Sequence, residues 1–442
     1  MSDASPTIAI LGASGLIGAS LAESLRHEGF RVVAMARRFK SAQSYAFGED
    51  AVLSELGTLS ADELGNLLRE RDIDIVVNCL GVLQNGPRGR AVDIHKDFVA
   101  RLIDAIRVQP KPILLVHLSI PGRDEDDRTD FSRTKRAGER LIAAAGLPSV
   151  VLRPGFVIAP VAYGGSALMR ALAAVPFAVP RDLGARRFAS TAIDDIARTV
   201  SFVARRWAGG ERRWSAVWTL CEREPATVAA VLEAFRTRFG GPRPLLRLPS
   251  WLLWAGAAAG DVAAWLGWSP PVRTTALREM FRGVEGRPDD WCAATGLEPA
   301  TLSESLGQVS ASVQERWFAR LYLLKSLIFA TLAVFWIVSG SIALTVAFRP
   351  ASDILVAHGF ATGLASLLTV ASSLIDIAVG CAIAVRRWSR AGLFAGIAVS
   401  LFYMAGAALL TPDLWAEPLG ALVKTGPAIV LMMVALAILD DR

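Results

Sequence analysis

Cysteine is scarce in this chain of 442 residues: the four copies are Cys79, Cys221, Cys292 and Cys381. None forms a CxxC pair, and none has a histidine at metal-ligand spacing. This speaks against a disulfide framework and a structural zinc, so no metal is expected, and it fits a reducing compartment. The opening MSDASPTIAI lacks a basic stretch followed by a long apolar run, so it does not read as a secretory signal. The net charge is +6, yet no basic stripe with interleaved aromatics is present, which argues against a nucleic-acid partner. Charge itself is missing from one end. Leu321 to Arg442 holds seven Lys/Arg and six Asp/Glu, against forty and thirty-five in the first 320 residues. That imbalance accounts for a hydrophobic fraction of 53% and a mean hydropathy of +0.41. The front is charged like a soluble enzyme, the tail reads as a membrane domain, and the length suits two or more domains.

Near the start, Thr7 to Arg38 reads TIAILGASGLIGASLAESLRHEGFRVVAMARR. Thr7 to Leu11 is an apolar run of strand length. Gly12, Gly15 and Gly18 follow at three-residue spacing, and Leu16, Ile17, Leu21 and Leu25 then recur at helical spacing. Gly29 ends the helix, and Val32 to Ala36 is a second strand. Glycines placed after a strand and opening a helix form a dinucleotide cradle. The first makes a tight turn, the second admits a pyrophosphate, and the third lets helix and strand pack. The backbone of Ser14, Leu16 and Ile17 would face the anion at the helix N-terminus. Arg37 and Arg38 end the second strand, where an acidic residue would suit the NAD ribose. Guanidinium groups there suit a 2′-phosphate, so NADP(H) is favoured over NAD(H); two solvated arginines are the plainer alternative.

Strands are expected at Ala51 to Leu53, Ile73 to Val77 and Ile113 to Leu118, with helices at Ser60 to Arg71 and Val92 to Arg107. Ser60 and Glu63 have capping-box spacing. This alternation predicts an α/β fold, a doubly wound parallel sheet of Rossmann type. Asn78-Cys79-Leu80-Gly81 closes one strand at the sheet's ligand-facing end, and Ser119 closes the next.

The series Gly12-x-x-Gly15-x-x-Gly18, Asn78-x-x-Gly81, Ser119 and Lys135 resembles an extended or atypical short-chain dehydrogenase/reductase. LRPGFVIAP, from Leu152 to Pro160, is similar to that family's sixth-strand signature, and STAIDDIAR, from Ser190 to Arg198, to its substrate-domain signature. The resemblance covers about residues 5–310. It implies cofactor contacts from Gly12, Ser14, Gly15, Leu16, Ile17, Gly18, Arg37, Arg38, Cys79, Leu80, Gly81, Lys135 and Pro154, with Ser119 and Lys135 in catalysis. It also implies a tyrosine four residues before the lysine. The segment here is Asp130-Phe131-Ser132-Arg133-Thr134-Lys135, and Phe131 has no proton to give. Either a different acid serves (Ser119, Ser132, Lys135, Tyr163 or a water), or the module keeps a cofactor without ordinary catalysis. The NADPH-binding accessory subunit of respiratory complex I is a similar atypical member with a structural role.

After Pro154 regularity falls. Phe156, Tyr163 and Phe188 are candidates for an apolar pocket or for core. Thr227 to Phe239 reads as an amphipathic helix stopped by Gly240-Gly241. Leu248 to Pro271 is nearly uncharged with tryptophans at both ends, and is expected as a helical hairpin on the domain or on the bilayer surface, or as a buried helix. Four stretches of spanning length follow: Leu321 to Phe348, Gly359 to Val385, Ala391 to Thr411 and Leu419 to Leu439. Arg386, Arg387 and Arg390 fill one loop, and Arg349 and Asp353 another. By the positive-inside rule, the soluble part and the C-terminus are cytoplasmic, in a multi-pass inner (cytoplasmic) membrane protein. This tail resembles the DoxX-like family, with Lys424 and Pro427 in its closing helix. Asp376 lies inside the second span and marks a polar site, or simply pairs with Ser372 or Ser373.

The expected division is a dinucleotide-binding core over residues 1–160, a substrate subdomain over 161–315, and a four-helix transmembrane domain over 316–442. Two functions are consistent with it. One is a membrane-tethered NAD(P)-dependent oxidoreductase with a lipophilic substrate. The other is a cofactor-stabilised structural subunit with a membrane-protein partner.

Overall fold

The computed structural model describes residues 5–83, 90–416, 420 and 422–440. The first strand, β1 (Thr7–Leu11), is buried along its whole length, as its unbroken apolar run demands. It passes through the glycine turn into α1 (Leu16–His27) and returns as β2 (Arg31–Ala36). Next come β3 (Ala51–Leu53), α2 (Ala61–Glu70), β4 (Ile75–Asn78), α3 (Phe98–Arg107) and β5 (Leu114–Leu118). Then follow α4 (Asp130–Ala145) and β6 (Ser149–Pro154). Ser60 caps α2 with Glu63 in the reciprocal arrangement its spacing predicts.

Further on lie β7 (Phe156–Ile158), α5 (Gly164–Ala173), β8 (Ser190–Ala192), α6 (Ile193–Ala208) and β9 (Ser215–Leu220). The main sheet has seven parallel strands in the order β9-β6-β5-β4-β1-β2-β3. The order reverses between β1 and β4, and there Leu11 pairs with Asn78. A parallel sheet binds ligand outside the carboxyl ends of its strands at such a switch. Alternate residues face opposite layers. Ile8, Ile10, Val32 and Val116 pack with α1 and α6 residues such as Leu21, Ile196 and Trp207. Ala9, Leu11, Val33 and Leu115 pack with Leu64, Leu102 and Ile142 of α2, α3 and α4.

A smaller cluster joins β7, α5 and α7 (Val228–Phe239), with Thr227 as cap and Gly240 in the left-handed region as stop. The expected hairpin at Leu248 to Pro271 is instead one helix, α8 (Ser250–Trp265). Gly256 and Gly260 do not interrupt it, and the turn comes only at Gly267, where φ is +89°. After it come α9 (Thr274–Arg282), α10 (Asp289–Thr295) and α11 (Leu302–Gly307).

In the tail, α12 (Val313–Leu344), α14 (Thr362–Ala384) and α15 (Ser389–Leu410) are long and apolar enough to cross a membrane. Between the first two lies α13 (Phe348–Ala357), where a loop is expected from the sequence. Pro350 sits in its first turn, where no intrahelical donor is needed, and Ser352 Oγ donates to Thr369 Oγ1 at 3.2 Å. The expected fourth span is shorter than anticipated. The helix α16 (Thr425–Ile438) has 14 residues, about 21 Å at 1.5 Å per residue, against a hydrocarbon core of about 30 Å. Residues 419 and 421 of the expected span lie outside the described residues. Small residues set the helix crossings. A β-carbon on Gly340 would lie 2.5 Å from Ser373 O, and one on Gly380 would lie 2.8 Å from Ala333 O.

The chain forms two compact units, Met1–Gly260 with Pro271–Ala319, and Asp261–Pro270 with Arg320–Arg442.

Candidate functional site

The glycine turn is built by steric necessity. Gly12 has φ +84°, and a β-carbon on it would meet Leu80 Cδ2 at 3.1 Å and Cys79 C at 3.4 Å. A β-carbon on Gly18 would lie 2.4 Å from Gly12 O, a contact no side chain tolerates. The turn is stitched by Gly12 N–H and Ala13 N–H donating to Met35 O (2.9 and 3.1 Å) and Gly15 N–H donating to Gly12 O (3.0 Å). Gly15 precedes α1 without a side-chain cap, and the first turn of α1 holds no acidic residue. Ser14 is exposed, while Leu16 and Ile17 are half-buried. These features fit a dinucleotide pyrophosphate: bare backbone, no β-carbon, no competing anion. Arg37 and Arg38 are exposed at the end of β2.

Asn78, Cys79, Leu80 and Gly81 come directly alongside. Asn78 Oδ1 accepts from Leu80 N–H at 3.1 Å, so its amide faces His117 Nδ1 at 3.2 Å as a donor. That assignment leaves the His117 proton on Nε2, a buried atom with no partner among the described residues. Burial holds the His117 pKa well below the ordinary value, with Lys135 reinforcing it. The Cys79 thiol is pushed up to about 12 by burial, against the pull of Lys135. It is therefore no thiolate nucleophile at neutral pH.

Lys135 is buried (4% exposed) on α4. Its ammonium donates to Leu118 O at 2.8 Å and Leu80 O at 3.3 Å. It stands 3.7 Å from where a Gly81 β-carbon would be, so Gly81 leaves room for it. Burial lowers its pKa to about 8, with the Glu139 carboxylate opposing. Phe131, one turn earlier, meets the ring of His95 edge-on, with centroids 5.5 Å apart. His95 Nε2 accepts from Val82 N–H at 3.0 Å. Its proton is then on Nδ1, which donates to Thr134 Oγ1 at 2.9 Å, and that hydroxyl donates to Asp130 O at 2.6 Å. Burial first, then Lys135 and His117, push the His95 pKa down to about 2.

Ser119 is buried at the end of β5, and its hydroxyl makes no hydrogen bond of good geometry among the described residues. It lies near Glu139. There burial raises the carboxyl pKa, but Arg153, Ser119 and Arg136 together hold it below the ordinary value. Of the other acid candidates, Ser132 is fully buried in the Thr129 capping box, and Tyr163 is exposed at the start of α5. Phe188 is core, its ring tilted 38° against that of Phe156 with centroids 4.9 Å apart. Pro154 is buried at the end of β6.

The structure thus brings together Gly12, Cys79, Leu80, Gly81, Ser119 and Lys135. It adds His95, His117, Thr134 and Glu139, which motif reading does not reach. Glu139 had a signal, since it stands one turn after Lys135 and three residues from Arg136, its partner at 3.1 Å. His117 also had one, two residues before Ser119 on the same strand face. Among the described residues no cluster of metal ligands is present.

Residues 8–212 match the NAD dependent epimerase/dehydratase family, and residues 333–433 match the DoxX-like family. No curated protein matches the sequence. Among solved structures, UDP-glucuronic acid 4-epimerase from Bacillus cereus, in complex with UDP-glucuronic acid and NAD, is 16% identical with a TM-score of 0.52. The alignment covers 72% of this chain and 99% of that one. dTDP-glucose 4,6-dehydratase from Bacillus anthracis, in complex with NAD, is 15% identical over 71% of this chain and 96% of its own, with a TM-score of 0.51. Human epimerase family protein SDR39U1 with NADPH is 20% identical over 70% of this chain and all of its own, with a TM-score of 0.50. At such identities the likeness concerns the fold. The chain therefore carries an NAD-dependent epimerase/dehydratase-like Rossmann domain at its N-terminus and a DoxX-like domain at its C-terminus.

Proposed function

We propose that this protein is a membrane-anchored, NAD(P)-dependent oxidoreductase acting on a lipophilic or membrane-associated substrate. The observation that carries the reading is the glycine cradle with Lys135 beside it, at the switch point of the sheet. Solved structures of similar fold hold NAD or NADPH, and Arg37 and Arg38 favour NADP(H). Gly12, Ser14, Gly15, Leu16, Ile17 and Gly18 would hold the pyrophosphate, with Cys79, Leu80, Gly81 and Pro154 walling the nicotinamide half. The bound dinucleotide supplies hydride chemistry. Lys135, fixed by two carbonyls, positions the ribose and presents a cation whose pKa lies close to neutral pH. Ser119 is in reach of the same strand ends to orient a substrate oxygen. We take residues 1–160 as the cofactor core, 161–315 as the substrate subdomain and 316–442 as the anchor. The membrane is the inner (cytoplasmic) one, with the nucleotide domain and C-terminus in the cytoplasm.

Phe131 favours a second reading, a cofactor-stabilised structural subunit of a membrane complex. The test is purification of the full chain in detergent, followed by NADPH oxidation with quinone, isoprenoid-carbonyl and lipid-linked sugar acceptors. Turnover by the isolated chain is expected. Bound NADPH that is never consumed, with stoichiometric co-purification of other membrane subunits, overturns the enzyme reading in favour of the second.

A further inference from the structure

The segment Asp261–Pro270 belongs to the same compact unit as the tail, although it precedes the tail in sequence. It is riveted there. Trp268 Nε1 donates to Ala384 O at 2.7 Å, and its ring packs on Phe329 at 4.6 Å. The Arg386 guanidinium stacks 5.6 Å from the same indole. Arg386 N–H donates to Leu266 O at 3.0 Å. The close approach is possible because Gly267 has φ +89° and its β-carbon position is only 3.3 Å from Arg386 Cβ.

This junction forms one side of an open notch of about 410 Å³ lined by Trp265, Leu266, Gly267, Val385, Arg386 and Arg387. That volume suits a small ligand or headgroup. Its charge is unbalanced. Arg386 and Arg390 both pair with Asp440, whereas Arg387 is exposed and has no ion pair among the described residues. Two guanidinium groups thus share one described carboxylate, and Arg387 adds a third with none. Trp265, in the lining, is 85% exposed, and Trp388, next in sequence to Arg387, is 58% exposed. Indoles seek the boundary between hydrocarbon and headgroup, and a guanidinium fork matches a phosphodiester.

We propose that this notch binds the anionic headgroup of a bilayer phospholipid, with Arg387 on the phosphate and Trp265 along the glycerol boundary. The proposal rests on the reading of α12, α14 and α15 as membrane spans. The site ties the linker segment to the bilayer by charge as well as by packing.

The test is native mass spectrometry of the full chain in neutral detergent, with equal dioleoyl phosphatidylglycerol and dioleoyl phosphatidylcholine added. The expected result is at least fivefold preferential retention of phosphatidylglycerol. Arg387→Gln, at an exposed loop position that leaves the thermal transition unchanged, is expected to cut that preference at least threefold. Arg349→Gln, at the opposite end of the antiparallel spans, is expected to leave it intact. Equal retention of the two lipids, or a preference unaffected by Arg387→Gln, overturns the proposal. Displacement of the lipid by millimolar inorganic phosphate also overturns it, in favour of a site for the bare anion. Release of the chain from membranes by carbonate washing would instead defeat the spanning assignment beneath it.

Discussion

The ring of Phe131 stands edge-on to the imidazole of His95, at 5.5 Å between centroids and 75° between planes. His95 is neutral and fully committed, to Val82 N–H on one nitrogen and Thr134 on the other. Phe131 is therefore held by an uncharged wall one helical turn from Lys135. Phe131→Tyr would place a phenol there within reach of a lysine already shifted toward neutral pH. General acid catalysis contributes about 10²–10⁴ in rate. The variant is expected to raise acceptor-dependent NADPH oxidation at least tenfold, measured by absorbance loss with the best acceptor found. An unchanged rate would mean that proton delivery from this position does not limit the reaction.

Gly18 is the least replaceable residue of the cradle, because the atom a side chain would strike is the backbone carbonyl of Gly12 at 2.4 Å. Backbone cannot rotate away as a side chain can. Gly18→Ala is expected to destabilise the nucleotide domain by about 1–3 kcal/mol, the usual cost of overpacking. It should also abolish the rise in thermal midpoint that NADPH gives the parent. A variant with the parent's midpoint and full cofactor response would show that α1 approaches β1 less closely than described.

Arg37 and Arg38 decide the phosphate preference if the proposed cofactor is right. Hydrogen bonds to charged groups contribute about 1.5–3 kcal/mol, which is roughly a 10- to 100-fold affinity difference. Replacing both with alanine should weaken NADPH binding by that factor while leaving NADH within about threefold, as titration calorimetry would record. Equal losses for the two cofactors would assign the arginines to general charge rather than to the 2′-phosphate.

Much of this was legible in the chain, for reasons particular residues make plain. The strand–glycine–helix unit at Thr7 to His27 is local, and steric demands at Gly12 and Gly18 leave one fold open to it. Ser60 with Glu63 is likewise a local pair. The polar layer under Lys135 is different. His95, His117 and Glu139 come from three separate elements, and the register of β4 against β5, with Asn78 opposite His117, places only one of them. The tail shows the same limit. Apolar length marks the spans Thr362–Ala384 and Ser389–Leu410 to within a few residues. The helix Phe348–Ala357 was hidden because proline and two charges read as loop, although proline in a first turn is harmless.

Lys135 should leave a signature in stability against pH. Folded, it loses its proton near pH 8; unfolded, it does so near 10.5. Below about pH 8 both states carry the charge, and the folded state bears the whole cost of burying it, roughly 3 kcal/mol at 1.36 kcal/mol per pKa unit. Between those values the unfolded chain holds a proton that the folded chain has released, so stability rises with pH. Lys135→Met removes this rise. The thermal midpoint of the parent relative to the variant is expected to climb between about pH 8 and 10, and a flat difference would place the ammonium in contact with water.

Asp376 and Tyr403 provide the last test, inside the tail. The Tyr403 hydroxyl donates to Asp376 Oδ1 at 3.0 Å, and its other close oxygen is Ser372 O at 3.4 Å. This differs from the Ser372 or Ser373 pairing anticipated from sequence, because Ser373 Oγ turns back to Thr369 O in its own helix at 2.7 Å. Gly340 of α12 lies close over the acid, with its β-carbon position 2.9 Å from Asp376 Cβ. Interhelical hydrogen bonds in membranes contribute about 0.6 kcal/mol on average and up to roughly 1.7. A double-mutant cycle of Asp376→Ala and Tyr403→Phe, followed by thermal unfolding of the full chain in detergent, is expected to give a coupling toward the upper end of that range. Asp376→Asn, which keeps an acceptor for the phenol, should retain most of the parent stability. Additive losses in the cycle would show that the two side chains are neighbours without being partners, and would leave the carboxyl to be stabilised by something other than this chain.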